Sequence, residues 1–344
     1  MSEKSQRFFD LLAIGRVSNL PTVWSNVITG FLVARCFHEA PESVGGELVL
    51  VALLLGSASC AYLFGTFLND WKDACFDEQY RPERAIPSGR WSRRAIGGIA
   101  LVFAILSIAC LVPLSLSAAI VPLLGAALLT SIVCYTFLHK KTPTAIIPMG
   151  LCRGLLYPLG FFSAASWSPG LVAQSLNPLP VIILMGLGSL VYVAGLTLAA
   201  RYESGPTTGT VPRLSLRFLL FACLLTHIWW WISGSFDKHG GASPLLSALP
   251  ALAAFVYWTA RSLFILRRSV PEFVSRSLAG ICLVDLLAFP GIAIMLQTTS
   301  FPLMPSPALL PCLPLSCMVL SVSYTHLRAH ETRGNLVCRL LLEK

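Results

Sequence analysis

A short run of acidic residues, NDWKDACFD, ends an otherwise apolar stretch of the chain. Asp70, Asp73 and Asp77 stand three and four residues apart, so a helix would place them on one face. Asn69 precedes Asp73 by one helical turn. Carboxylates at the C-terminal end of a helix oppose its dipole and repel one another, and a bound Mg²⁺ would reverse both effects. We therefore expect these four residues to form a metal site.

The basic loop that follows, RPERAIPSGR, supplies positive charge beside the acidic run. It contains Arg81, Arg84 and Arg90. Guanidinium groups bind phosphate oxygens through paired hydrogen bonds, and Mg²⁺ commonly binds one or two carboxylates together with substrate phosphates. Carboxylates, a metal and arginines together indicate a diphosphate-binding site, with Arg84 and Arg90 as candidate ligands of the phosphate oxygens.

The composition indicates a membrane protein. Of the 344 residues, 55% are hydrophobic and only 12% are charged, whereas soluble domains contain about 25% charged residues. Nine apolar stretches are long enough to cross about 30 Å of hydrocarbon as helices. They lie near residues 17–36, 48–68, 95–113, 117–138, 144–164, 178–200, 214–233, 244–265 and 277–298. We expect an all-α, polytopic bundle of nine transmembrane helices.

Positive charge is concentrated in the loops on one side of these stretches. Those loops and the N-terminal segment hold most of the 25 Lys and Arg residues, whereas the opposite loops carry Arg35 and Lys238. Cytoplasmic loops retain Lys and Arg, so we expect the N-terminus and the acidic run to face the cytoplasm of a bacterial inner membrane. The net charge of +9 follows from this topology and requires no nucleic-acid partner.

The acidic run and its loop resemble the first signature of the UbiA superfamily of membrane-embedded prenyltransferases, NDxxDxxxD followed by a basic, proline-containing loop. The matching residues are Asn69, Asp70, Asp73, Asp77, Arg84, Pro87, Ser88 and Gly89. The resemblance implies a nine-helix bundle around a central cavity, with membrane lipid around it. It also implies Mg²⁺-dependent transfer of a prenyl group from an isoprenyl diphosphate to an acceptor of unknown identity.

A second polar cluster, which the resemblance also implies, follows the fourth apolar stretch. Tyr135 and Thr136 precede Lys140 and Lys141, as in the family's Y-[ST]-x-x-x-K sequence, in which a lysine contacts the diphosphate. Enforcing the membrane topology would explain both lysines equally well. Lys72, inside the acidic run, is a further candidate ligand of the diphosphate.

The second Asp-rich motif of the family is missing from this chain. Where family members carry a DxxxD-like motif at the end of the sixth helix, this sequence reads LTLAARYES. One hypothesis is that Arg201 replaces the second metal as a fixed positive charge, while Glu203 orients Arg201 or binds the remaining metal. The alternative is a non-catalytic component that binds or transports isoprenoid lipid. This combination of motifs resembles the UbiA-like branch called EboC.

Two ionisable residues fall within apolar stretches, where charge is costly and commonly functional. Arg153 lies near the middle of the fifth stretch and Asp285 lies in the ninth. They predict either a structural ion pair or a role for Arg153 in the cavity. Asn26, in the first stretch, is a cavity candidate through the resemblance, and a hydrogen bond between helices would also explain it.

The pattern of apolar stretches ends near residue 298. A Pro-rich segment follows, and the last residues, SYTHLRAHETRGNLVCRLLLEK, resemble a translated sequencing-adapter tail. Their positive charges would face the non-cytoplasmic side, against the bias of the rest of the chain. We therefore expect residues 1–298 to form the UbiA-like transmembrane domain, and residues 299–344 to be a Pro-rich segment and a non-native tail.

Overall fold

The computed structural model describes residues 3–38, 43–115, 118–168, 170, 177–201, 213–235, 244–266, 269–296 and 312–322. Within these residues the predicted all-α fold is confirmed. The helices are α1 (Glu3–Gly15), α2 (Leu20–Phe37), α3 (Val44–Tyr80), α4 (Arg93–Ser115), α5 (Ile120–Leu138), α6 (Ile146–Gly154), α7 (Leu156–Ala165), α8 (Pro178–Arg201), α9 (Arg213–Ser235), α10 (Pro244–Leu266), α11 (Val270–Ala279), α12 (Ile281–Leu286), α13 (Phe289–Leu296) and α14 (Cys312–Val322). Short 3₁₀ turns precede α2 and α6.

Seven segments in the described part of the chain are long and apolar enough to cross a membrane. They are Val44–Tyr80, Arg93–Leu114, Ile120–Leu138, Pro143–Ala165, Pro178–Ala200, Ala248–Leu266 and Glu272–Ala293. Helix α2, the first predicted span, is not among these seven. It contains four uncharged polar residues that are buried inside the bundle, Thr22, Ser25, Asn26 and Thr29. The multi-pass membrane architecture is confirmed, and the count of nine spans stays a prediction.

The outer faces of several helices are apolar. Leu101, Val102 and Ile105 on α4 are more than half exposed, as are Ile183 on α8 and Phe218 on α9. Large apolar side chains exposed over several helices would be unfavourable in water. They suit hydrocarbon, in which each helix satisfies its own backbone hydrogen bonds.

Two of the spans consist of broken helices. Pro143–Ala165 runs from a 3₁₀ turn into α6 and, after Leu155, into α7, and Glu272–Ala293 is divided among α11, α12 and α13. Broken helices inside a membrane are tolerated where protein or a cavity surrounds the interruption. Helix α6 lies close to α8 at the break, since a Cβ atom on Gly154 would lie 2.7 Å from the Gly186 carbonyl oxygen.

Helices α2 and α7 make the closest backbone contact that bears on the interior of the bundle. A Cβ atom on Gly30 would lie 2.1 Å from the Tyr157 carbonyl oxygen, and one on Gly160 would lie 2.1 Å from the Val27 carbonyl oxygen. Small residues allow membrane helices to approach in this way. The contact fixes Asn26, which neighbours Val27, against Tyr157 on α7.

We call the end of the bundle that carries residues 69–77 the aspartate end. The other end contains a buried ion pair, in which Arg35 Nε donates to Glu47 Oε1 at 2.7 Å and both side chains are 0% exposed. Arg35 Nη1 also donates to Ser168 Oγ at 2.7 Å. Arg35, which the charge pattern assigns to a loop, therefore joins the end of α2 to the start of α3 and to the segment after α7.

Helix α14 lies within the segment that the sequence analysis separates from the domain. Leu313 and Met318 pack against the core of the bundle, and Cys317 and Ser321 are buried. The segment 299–344 thus contains a helix that contacts the bundle. The boundary at residue 298 stays a prediction, and the adapter-like string from residue 323 onward lies outside the described residues.

Candidate active site

A cavity of about 230 Å³ lies inside the bundle between α2, α3, α5 and α6. Near the aspartate end its wall is polar and includes Arg16, Asn19, Asn69 and His139. Farther from that end the wall is largely apolar, with Val23, Leu128, Ile132 and, on α7, Leu156, and there it also includes Arg153. The cavity therefore extends from residues next to the acidic cluster to an apolar interior.

Asp70 retains an unsatisfied oxygen within the acidic cluster. Its side chain is 14% exposed, and its Oδ1 lies 3.6 Å from Arg16 Nη2 and 3.7 Å from Arg84 Nη1. Both distances exceed that of a hydrogen bond, and among the described residues Oδ1 is buried without a donor. A buried carboxylate oxygen without a donor is unfavourable, so this position favours a cationic ligand.

Asp73 and Asp77 are held by basic side chains. Lys140 Nζ lies 2.7 Å from Asp73 Oδ1, and Arg84 Nη1 donates to Asp77 Oδ2 at 2.7 Å. Arg84 also faces Asp70, and Asp70 and Asp73 are three residues apart on one face of α3, so the three carboxylates and the two basic groups form one charged cluster. These predicted residues are therefore brought together at the aspartate end.

The loop after α3 gives Arg84 its position. Ser88 N donates to the Arg84 carbonyl and Trp91 N donates to the Ala85 carbonyl, both at 3.0 Å, so the loop folds back on itself. Gly89 has a φ of 76°, in the left-handed region that favours glycine. The glycine in the loop signature thus stands where the backbone adopts a left-handed conformation.

The acidic cluster offers Mg²⁺ a partial set of ligands. In the part of the chain that the structure describes, no three His, Cys, Asp or Glu side chains are arranged to hold a metal ion. Mg²⁺ usually binds one or two carboxylates and completes its shell with water and substrate phosphate oxygens. Asp70, with its unsatisfied oxygen, and Asn69, which lines the cavity, match that smaller set. The donors present fit a metal that arrives with a diphosphate.

Three other predicted diphosphate ligands contact groups outside the three aspartates or are exposed. Lys72 Nζ lies 5.1 Å from the centroid of the Phe137 ring. Arg90 donates to both carboxylate oxygens of Asp10, at 2.8 and 3.1 Å, and so fastens α1 to the loop. Lys141 is exposed to the surroundings. In this conformation these residues hold the frame of the site or face outward.

The end of α8 is the place where the second Asp-rich motif is missing. The helix continues regularly up to Arg201, and the Thr197 hydroxyl donates to the Val193 carbonyl at 2.8 Å, inside the helix. The side chain of Arg201 and the whole of Glu203 lie outside the described residues. Their roles stay predictions.

A buried polar network lies behind the cavity wall. Asn26 Nδ2 donates to Asp285 Oδ2 at 2.9 Å and to Tyr157 Oη at 3.0 Å. The Tyr157 hydroxyl donates to Asp285 Oδ1 at 2.5 Å, and the Ser25 hydroxyl donates to Asp285 Oδ2. Arg153 Nη1 contacts Asn26 Oδ1 at 3.4 Å. Asn26 is fully buried and reaches the cavity through Arg153.

The comparisons with known proteins agree with this fold. The UbiA prenyltransferase family matches residues 26–276. The chain belongs to this family. The digeranylgeranylglyceryl phosphate synthase of Ignicoccus hospitalis is 30% identical over 152 residues, which make up 42% of this chain and 47% of that enzyme. The alignment thus spans about half the length of this curated relative.

Two solved structures show the same fold as this UbiA family member. One, reported for digeranylgeranylglyceryl phosphate synthase in membranes, superposes with a TM-score of 0.57 at 16% identity, over 85% of this chain and 99% of that one. The other, an apo UbiA homolog from Aeropyrum pernix K1, gives a TM-score of 0.55 at 17% identity, over 81% and 98% of the two chains. At these identities the likeness concerns the fold.

Two residues of this candidate site belong to none of the sequence motifs. Arg16, which faces Asp70, has a φ of 44°, an uncommon value for a residue other than glycine. His139 lines the cavity, and its Nε2 lies 3.7 Å from Asp73 Oδ2. The charge count treats Arg16 only as a topology signal. His139 stands next to the lysine motif but is not part of it. Arg16 and His139 both stand at the ends of predicted spans.

Proposed function

We propose that the protein transfers a prenyl group from an isoprenyl diphosphate to an acceptor within the membrane and that the reaction depends on Mg²⁺. The observation that carries the proposal is the buried, unsatisfied Oδ1 of Asp70 beside a cavity that becomes apolar with depth. Membership of the UbiA prenyltransferase family supports prenyl transfer. The metal and the acceptor are parts of the proposal.

The proposed diphosphate site is the charged cluster at the aspartate end. Asn69, Asp70 and Asp73 would hold Mg²⁺, with Asp77 bound to Arg84 in support. When bound, the metal supplies a Lewis acid that stabilises negative charge on the departing diphosphate. Arg84 and Lys140, positioned by hydrogen bonds and ion pairs to aspartates, add fixed positive charge where the leaving oxygens gain electrons as the allylic C–O bond breaks.

The deeper part of the cavity would hold the isoprenoid chain. Its lining by Val23, Leu128, Ile132 and Leu156 offers an apolar surface and few groups that could react with an allylic cation. Water excluded from such a site cannot capture the cation before the acceptor does. The proposed reaction needs no covalent nucleophile from the protein.

Arg201 and Glu203 carry the second part of the proposal. We propose that Arg201 stands in for the second metal and Glu203 orients it. An interaction that strengthens as charge develops lowers the barrier more than it strengthens binding of the donor. Arg201→Ala should therefore reduce kcat more than it raises the Kd of the donor. Equal donor binding with unchanged kcat would remove Arg201 from the mechanism.

The test uses the full chain in lipid nanodiscs with isoprenyl diphosphates of several lengths and a total lipid extract as the source of acceptor. Diphosphate release is measured with Mg²⁺ and with EDTA, and prenylated products are identified by mass spectrometry. Asp70→Ala should lower the rate at least about 100-fold, equivalent to about 2.7 kcal/mol. Glu78→Gln removes a carboxylate from an exposed position of the same helix and should leave the rate unchanged.

The same assay separates the enzyme from the lipid-binding alternative that the missing second motif suggests. An enzyme releases diphosphate from the donor in a Mg²⁺-dependent way. A wild-type chain that retains every donor intact, with Asp70→Ala abolishing only its binding, would establish a binding component and refute prenyl transfer.

A further inference from the structure

Arg153 lies on the cavity wall and makes few hydrogen bonds to the described residues. The residue is only 6% exposed and lines the cavity. The hydrogen bond that its guanidinium makes to the described residues is the 3.4 Å contact with Asn26 Oδ1. The Tyr62 ring, which also lines the cavity, lies 5.8 Å from its Cζ. A guanidinium has five donors, so donors remain for a ligand.

Asp285 does not use those donors. Its carboxylate already accepts hydrogen bonds from Ser25, Asn26 and Tyr157. It connects to Arg153 only through the amide of Asn26, whose Nδ2 faces the carboxylate and whose Oδ1 faces the guanidinium. A structural ion pair would bring the two charged groups into direct contact. The network instead holds the guanidinium from behind and leaves it facing the cavity.

The depth of Arg153 separates it from the proposed diphosphate site. Tyr62, beside Arg153, precedes Asp70 by eight residues on α3, which corresponds to about 12 Å along the helix axis. The seven residues from the start of α6 to Arg153 give a similar depth, about 10 Å. The space between a diphosphate at the aspartate end and the Arg153 guanidinium would therefore be about long enough for one small acceptor molecule.

We propose that Arg153 binds an anionic group, a carboxylate or a phosphate, of the prenyl acceptor. This inference rests on the proposed function, because it assigns the second substrate of that reaction. An acceptor anchored at Arg153 would lie between the guanidinium and the first carbon of the prenyl donor. Asn26 acts as a positioning residue because it contacts Arg153, and Tyr157 and Asp285 in turn hold Asn26.

The binding test uses matched charged and neutral probes, without donor or Mg²⁺. Benzoate is compared with benzamide, and phenyl phosphate with phenol, by saturation-transfer NMR titration of the full chain in nanodiscs against empty nanodiscs. The anionic member of one pair should bind wild type at least about tenfold more tightly. Arg153→Gln should abolish that preference, Arg153→Lys should retain part of it, and Arg261→Gln, at an exposed position of α10, should leave it intact.

A second measurement needs no variant and decides the matter if Arg153→Gln fails to fold. Cys152 lines the cavity next to Arg153, whereas Cys75 is exposed on α3. The preferred anion should slow alkylation of Cys152 by N-ethylmaleimide more than its neutral partner does, and it should leave Cys75 unaffected. Peptide mapping by mass spectrometry reports both sites.

The possible outcomes keep this inference separate from prenyl transfer. Equal binding of charged and neutral probes, a preference that survives Arg153→Gln, or equal protection of Cys152 by both probes would overturn the Arg153 site. Arg153-dependent anion binding in a chain that never releases diphosphate would retain the site and refute the enzyme. A preference within the benzoate pair would indicate a carboxylate acceptor, and a preference within the phenyl phosphate pair would indicate a phosphate acceptor.

Discussion

The ion pair between Arg35 and Glu47 offers the sharpest test of how the bundle is held together. Both side chains are 0% exposed and the Nε–Oε1 distance is 2.7 Å. Glu47→Gln keeps the shape and an acceptor oxygen but removes the negative charge. Arg35 would then remain buried without the Glu47 carboxylate, and Ser168 Oγ and the Ala164 carbonyl, to which it also donates, are neutral.

The expected loss follows from the distance and the burial. Two unit charges 2.7 Å apart attract by about 6 kcal/mol at an effective dielectric constant of about 20. The neutral hydrogen bonds that remain offset part of this, and breaking a fully buried pair typically costs about 3–5 kcal/mol. We expect Glu47→Gln to lower the free energy of unfolding by that amount. Arg35→Met combined with Glu47→Leu should restore most of it, because no charge is then left buried.

The assay is reversible unfolding of the full chain in mixed detergent micelles, with Arg261→Gln as the control for the loss of one exposed charge. The control should change the unfolding free energy by less than about 0.5 kcal/mol. A Glu47→Gln chain as stable as wild type would show that the pair contributes no net energy. A double variant less stable than Glu47→Gln alone would show that the charge is not the cause of the loss.

Two further changes test the packing. Gly160→Ala places a Cβ atom 2.1 Å from the Val27 carbonyl oxygen, so it should lower the unfolding free energy by about 1–3 kcal/mol. Gly98→Ala, with no atom within 4 Å, should leave the unfolding free energy unchanged. Equal stability of the two variants would contradict the close contact of α2 and α7. A chain that ends at residue 298 should lose at least about 2 kcal/mol relative to one that ends at residue 322, because α14 packs on the core; equal unfolding in micelles would show that the helix is dispensable.

Local sequence patterns were sufficient to predict much of the charged cluster. Asp70, Asp73 and Asp77 share a face because their spacing matches the helical repeat, and Gly89 marks the turn of the loop. Apolar length predicted a multi-pass helical membrane fold, since the thickness of hydrocarbon sets the minimum length of a span. Such features depend on residues that are close in sequence.

The contacts that fix the interior could not be read in this way. Asn26 and Asp285 are 259 residues apart, and nothing in either local sequence indicates that an amide will join that carboxylate to Arg153. Similarly, Arg35 in the charge pattern resembles any loop arginine, and only the packing of α2 against α3 reveals its partner. Periodicity predicts which face of a helix is buried but not which residue on another helix it meets.

The break between α6 and α7 has an electrostatic consequence for an empty protein. Arg153 stands in the last turn of α6, where the helix dipole places partial negative charge worth about 0.3–1 kcal/mol to a nearby cation. With Asp285 behind it, the guanidinium is compensated from the protein side alone. If an anion binds at Arg153 as proposed, its release would leave these compensating charges in place around the guanidinium.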